Sequence, residues 1–481
     1  MNFNSVEFLF VFLPITLALF HATKDINYRI KFLCISSVMF YYISGKYFLI
    51  IMLITAATDY CAGLLMHRST CDNIRKSILI TAISINIFML GLFKYKDFLI
   101  SNVLLIINKA NLYLGLNFDS EQLSGLLFLK SKSIWVIPPA ISFYTFESMS
   151  YSIDVYQRKT EPETNYWRYF CFICFFPHLM AGPIVRAKQF LSQLGSNLIS
   201  LRTGKEFQAA VFLICCGLIK KTVVGDLLGG YVDPLFNRWN ELGLYDAWAA
   251  VLGFGYQIYF DFSGYSDIAL GIAALFGVSL PMNFNSPYSA INPSDFWRRW
   301  HITLSNWFRD YLYIPSGGSH FGEWRTYRNL ILTMVLVGLW HGASWHFIFW
   351  GLYHSILLIA YHRYPWIWDS LPRKIGIAVM FILSMTGWVL FRADNMTEAF
   401  GILGSLVGFN GAWGPNSIIM MNINLLIMVT GISIFVHLPS PNSNQIKFDS
   451  WKISMSAGLG ILTILALSLI RENRHFIYFV F

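Results

Sequence analysis

The chain has 481 residues, 56% of them hydrophobic and only 13% charged, where a soluble domain carries roughly twice that charge. This excludes a soluble globular protein. The net charge of +9 comes from basic residues scattered over short loops, with no Lys/Arg-rich block, so it suits anionic lipid headgroups rather than nucleic acid.

Apolar stretches of membrane length recur from end to end, which predicts an all-α polytopic membrane protein with roughly eleven to fourteen transmembrane or re-entrant segments. Candidate spans are 6–22, 30–44, 47–66, 78–92, 98–116, 134–155, 166–185 and 207–228. They continue with 245–278 and 330–361, both long enough for two passes, and then 375–391, 418–438 and 453–470. Met1 to Val6 lacks Lys and Arg, so the first span does not read as a cleavable signal. Lys24, Arg29 and Lys31 follow it, which places that loop in the cytoplasm and the N-terminus outside. The polar stretches 157–165 and 236–243 are loop-sized. With no internal repeat and no low-complexity linker, residues 1–481 read as one domain, its polar residues concentrated at about 253–358. Cys171 and Cys174 have metal spacing but no second pair, and read as buried small hydrophobes.

Within that polar region, Asp261 and Asp267 interrupt an apolar stretch around Gly264. Two readings fit: a broken helix lining a cavity, or a loop at the membrane face with both carboxylates in water. Next, Asn292 caps a predicted helix with Pro293 in its first turn and Asp295 at its positive end. Phe296, Trp300, Leu304, Trp307, Phe308, Tyr311 and Leu312 recur at helical spacing, opposite Arg298, Arg299, Ser305, Asn306, Arg309 and Asp310. That pattern predicts an amphipathic helix lying in the membrane interface. Its arginines serve either lipid phosphates or an anionic substrate.

His341 then sits twelve residues into the run that opens at Asn329, roughly 18 Å along a helix and past the midplane of a ~30 Å apolar layer. An ionisable group at that depth is costly and is kept where it functions. The 33 residues from Asn329 to Tyr361 exceed one span, so a break near His341-Gly342 is expected. Eleven histidines are present. His21, His67, His362 and His437 fall at predicted span ends, and His346 and His354 read as packed or hydrogen-bonded. No metal-binding spacing appears among them, and no serine-nucleophile signature occurs. His341 and His301 are the candidate catalytic pair, 40 residues apart. A desolvated imidazole can take a proton from a hydroxyl, and a second polar group can hold its tautomer or steady an oxyanion.

The string F-W-R-R-W-H-I-T-L-S-N-W-F-R-D-Y-L-Y-I-P at 296–315 and G-L-W-H-G-A-S-W at 338–345 resemble the membrane-bound O-acyltransferase family. The likeness is to its branch of alginate O-acetyltransferase membrane components, related to D-alanyl transfer proteins and peptidoglycan O-acetyltransferases. Further matching pieces are S-F-Y-T-F-E-S-M-S-Y at 142–151, F-P-H-L-M-A-G-P-I at 176–184, G-L-I-K-K-T at 217–222, D-F-S-G-Y-S-D at 261–267 and N-F-N-S-P-Y at 283–288. The resemblance implies a ring- or funnel-like helical fold with a central tunnel, His341 as catalytic base and His301 as the second polar residue. It implies a multi-pass protein of the bacterial inner membrane. Acetyl passes from cytoplasmic acetyl-CoA, a substrate rather than a tightly bound cofactor, toward hydroxyls of an extracytoplasmic polysaccharide such as alginate. Arg298, Arg299, Arg309, Asp310, Trp300, Ser305, Tyr265 and Asp267 become candidates for donor binding or tunnel lining. With no soluble domain to hold a polymer, a periplasmic esterase-like transferase is the expected partner, beside membrane lipids. Peptidoglycan, another envelope glycan or D-alanyl transfer are the alternatives within the family.

The C-terminal run His475 to Phe481 is an interface belt on composition. In related D-alanylation systems a small partner peptide ends in a similar aromatic-tyrosine motif, which makes Tyr478 a candidate acyl relay. Outside the family, a transporter of lipid-linked sugar or acyl carrier would use the same polar cavity without covalent chemistry, and would favour paired half-repeats. A non-catalytic scaffold leaves the two histidines unexplained.

Overall fold

The computed structural model describes residues 1–114, 137–195, 198, 204–412, 414, 423–437, 442–446 and 453–470. Tyr478 lies outside the described residues. Every regular element among those described is helical. Ile26–Arg68, Asp72–Tyr113 and Arg373–Arg392 are long and apolar enough to cross a membrane.

The N-terminal part comprises α1 (Leu13–His21), α2 (Ile26–Gly45), α3 (Leu49–Arg68), α4 (Asp72–Leu90) and α5 (Lys96–Leu114). Asp25 starts α2 by accepting from the Asn27 and Tyr28 amides, which satisfies two donors that a helix start leaves free. A π turn, Gly91–Tyr95, joins α4 to α5. Then come α6 (Ile141–Tyr156) and α7 (Tyr166–Cys174). The expected span 166–185 is not one helix. Phe175 turns out of the helix (ψ 106°), and the short helix Phe176–Leu179 carries Pro177 in its first turn, where a residue with no amide cannot continue the earlier ladder.

α8 (Gly204–Leu218) and α9 (Leu227–Asn237) flank a π segment, Ile219–Asp226. They pack on α10 (Leu244–Leu275), whose 32 residues are mostly buried and which α8, α9 and later helices surround. Neither reading of the Asp261–Asp267 stretch survives. The helix continues through it, about 48 Å in all, and both aspartates are buried. Gly264 serves close approach rather than a break: a Cβ there would come 2.7 Å from the Gly217 carbonyl oxygen of α8. Small residues at such seams let helix backbones meet. The carboxylates are tied to the π segment. Lys220 Nζ lies 2.7 Å from Asp267, and Lys221 Nζ bonds Asp261 and, at 2.7 Å, Asp226.

The predicted interfacial helix is also two pieces, α11 (Pro293–Trp297) and α12 (Ile302–Phe308), followed by a π turn over Arg309–Tyr313. Asn292 does cap α11, accepting from the Asp295 amide at 2.8 Å. The chain breaks at His301, whose φ of 40° is left-handed and cannot belong to a continuous α-helix. α13 (Glu323–His341) and α14 (Trp345–Arg363) form a hairpin with its turn at 342–344, where the sequence places a break. α15 (Arg373–Arg392) packs against α10 and α14.

Candidate active site

Two unlike devices bring the candidate histidines together. His341 is the last residue of α13. His301 stands at the left-handed corner between α11 and α12. Neighbours hold that corner from several directions. The Ile302 amide donates to the Asn283 carbonyl at 2.9 Å. Thr303 Oγ1 donates to Asn283 Oδ1 at 2.7 Å and accepts from the Ile184 amide at 3.0 Å. One turn on, Trp307 Nε1 donates to the Phe146 carbonyl at 2.9 Å, with its ring stacked on Phe146 at 3.9 Å. A non-glycine residue at positive φ is strained, and such strain persists only where surrounding contacts over-determine it.

The two imidazole centroids lie 6.5 Å apart, and His301 and His341 are 0% and 3% exposed. An aromatic box encloses them. Trp340 lies 5.0 Å from the His341 ring and 5.7 Å from that of His301. Trp350 and Phe391 stand 5.2 and 5.1 Å from His341, and Phe262 stands 4.7 Å from His301. The indole N–H groups of Trp340 and Trp350 are buried and meet no acceptor among the described residues, whereas buried donors ordinarily have partners.

The remaining candidates do not join the pair. Arg298 and Arg309 are exposed. Arg299 is tied to Asp295 at 2.8 Å and to the Asn285 carbonyl at 3.2 Å. Asp310 is engaged by Arg309 and Arg186 at 2.8 and 3.1 Å. Trp300 packs on Trp388 at 4.6 Å, and Ser305 Oγ donates to the Trp300 carbonyl at 3.2 Å. Tyr265 stacks on Phe3 at 4.9 Å. Asp267 lines a narrow polar crevice with Lys220, Ser443 and Asn283, and Asn283 also braces the His301 corner. His346 Nδ1 lies 3.1 Å from the Leu390 carbonyl, and His354 stacks among Phe296, Trp297 and Trp350. Cys34, Cys171 and Cys174 are buried.

Sequence reasoning missed Trp350, Phe391 and Phe262. Trp350 had a usable signal, since a turn after His341 returns it alongside that residue. It also missed a second buried pair, His178 Nε2 lying 3.2 Å from Glu147 Oε2, while Glu147 Oε1 accepts from the Val185 amide at 3.0 Å.

Residues 162–386, which contain both histidines, match the membrane-bound O-acyltransferase family. The peptidoglycan O-acetyltransferase of Helicobacter pylori is 33% identical over 441 residues, covering 85% of this chain and 80% of its own length. This chain belongs to the membrane-bound O-acyltransferase family. A second relative in the family, named probable alginate O-acetylase AlgI and found in Azotobacter vinelandii, is 37% identical over 417 residues, 86% of this chain and 79% of its own. The teichoic acid D-alanyltransferase of Bacillus subtilis is 27% identical over 397 residues, 72% of this chain and 97% of its own. The chain is accordingly a membrane-bound acyltransferase.

Proposed function

We propose that this acyltransferase moves acetyl from cytoplasmic acetyl-CoA to a hydroxyl reached from the outer face of the bacterial inner membrane, the final acceptor being an envelope polysaccharide such as alginate. One observation carries the reading: two imidazoles 40 residues apart in sequence meet at 6.5 Å inside the helical body. A hydroxyl between such rings sits within about 3 Å of both. His341 takes the hydroxyl proton as the oxygen attacks the thioester carbonyl. The C–S bond breaks, and the proton passes to the departing thiolate. His301 orients the pair, while the indole N–H groups of Trp340 and Trp350 donate to the oxyanion.

Residues 1–481 act as a single ring- or funnel-like domain of eleven to fourteen membrane segments around a tunnel in this reading. The exposed Arg298 and Arg309 meet the donor's phosphates at its cytoplasmic mouth. A periplasmic esterase-like transferase completes delivery. Relatives named for alginate, peptidoglycan and teichoic acid share the chemistry, and the 37% identity to the alginate relative favours acetyl as the group moved.

The test is purified protein with radiolabelled acetyl-CoA and an acceptor polymer. Wild type is expected to release CoA and label the acceptor, and His341→Ala to lose about 10²–10⁴-fold. Equal transfer by both, or by neither, counts against the proposal.

A further inference from the structure

A helix leaves its last four carbonyls without amide partners, and in a membrane interior such groups are costly. α13 ends this way at His341. The Gly338 carbonyl takes the Gly342 amide at 3.3 Å. The next three carbonyls are met from elsewhere, by two consecutive residues of the π turn between α4 and α5. The Tyr95 hydroxyl donates to the Leu339 carbonyl at 2.9 Å. Lys94 Nζ donates to the Trp340 carbonyl at 2.5 Å and the His341 carbonyl at 3.3 Å. The ammonium also lies 5.7 Å from the Trp340 ring centroid and 3.4 Å from Ser142 Oγ.

Three features make this more than a helix cap. The Lys94 amine stands at the negative end of the helix macrodipole, where its N–H donors meet the carbonyls that carry that partial charge. The turn that supplies both donors is π-helical, which gives Lys94 and Tyr95 a different facing from a regular helix, and such bulges often occur at functional sites. The carbonyls gripped are those of His341 itself and of Trp340, whose ring touches both imidazoles.

We propose that Lys94 and Tyr95 are positioning residues that clamp the C-terminal turn of α13 and so aim the His341 imidazole. The proposal rests on the reading of His341 as the reacting base. Lys94 does not touch substrate in it. The clamp sets the angle from which His341 reaches the acceptor hydroxyl, and misaiming by about 1 Å can cost about 10²-fold in rate.

The experiment compares Lys94→Met, Lys94→Arg and Tyr95→Phe with wild type, each full-length and monodisperse in detergent. Two measurements are made: steady-state acetyl transfer, and hydrogen–deuterium exchange of the peptide covering 338–346. Lys94→Met is expected to lower kcat by about 10–100-fold with KM for acetyl-CoA within about twofold. Exchange in 338–346 should speed up about tenfold. Lys94→Arg, which keeps the charge and donors, should recover most of both, and Tyr95→Phe should show a smaller change in the same direction. Wild-type exchange and kcat in Lys94→Met, a loss carried by KM, or no recovery with arginine overturns the proposal. If Lys94→Met does not fold, Tyr95→Phe decides, since it removes one oxygen only. If wild type itself does not use acetyl-CoA, the donor assignment fails, while the exchange comparison still accepts or rejects the clamp.

Discussion

Thr303→Val tests whether the strained corner at His301 is held by its hydrogen bonds. Valine keeps the shape of threonine and removes one hydroxyl. That hydroxyl bridges the Ile184 amide (3.0 Å) and Asn283 Oδ1 (2.7 Å), all in residues 6% exposed or less. Each buried group left without a partner costs about 1–3 kcal/mol, so the substitution sets about 2–6 kcal/mol against the folded corner. Holding His301 at positive φ already costs about 1–3 kcal/mol. The corner is therefore expected to relax first, carrying the imidazole away from His341. Initial rates of acetyl transfer should fall about 10–100-fold, alongside a lower melting temperature by tryptophan fluorescence. Thr303→Ser, which retains the hydroxyl, should keep most of both. A Thr303→Val protein with wild-type rate and melting, or a serine variant as impaired as valine, would refute the reasoning.

Lys221→Met strips the cation from buried Asp261 and half-buried Asp226, and loss of one partner of a buried pair typically costs about 3–5 kcal/mol. Folded yield on size exclusion should drop and partly return in Lys221→Met/Asp261→Asn; unchanged yield in the single variant would count against the pairing. Gly338→Ala places a Cβ 2.2 Å from the Phe347 carbonyl oxygen, whereas Gly460→Ala meets nothing within 4 Å. The first should lower melting temperature and activity and the second neither; equal behaviour would contradict the tight hairpin. Tyr478→Phe should abolish polymer acetylation if Tyr478 relays the acyl group, and acetylation at the normal level rules the relay out.

What the sequence revealed depended on the range of the forces involved. His341 stood out as a candidate because one ionisable residue in a long apolar run has few explanations, and the structure sets it beside His301; the Gly342 break was legible because the run exceeds one membrane crossing. Asn292 was legible because capping is local. The unbroken α10 was not: Asp261 and Asp267 look like reasons for a helix to end until Lys220 and Lys221, about 40 residues earlier, are seen to neutralise them. Likewise 292–312 carries a good amphipathic period, and local spacing gives no warning that His301 is forced left-handed by partners at Asn283 and Ile184. Of the arginines placed at a donor site, Arg299 is already committed to Asp295, a pairing at helical spacing that the sequence did offer.

The clamp on α13 has a consequence for biogenesis. Lys94 is translated 246 residues before the first carbonyl it grips. At ribosomal speeds that interval is roughly 10–50 s, during which the carbonyls that the Lys94 amine grips do not yet exist. The two candidate histidines can meet only once the α13–α14 hairpin is made, since His341 is the last residue before its turn.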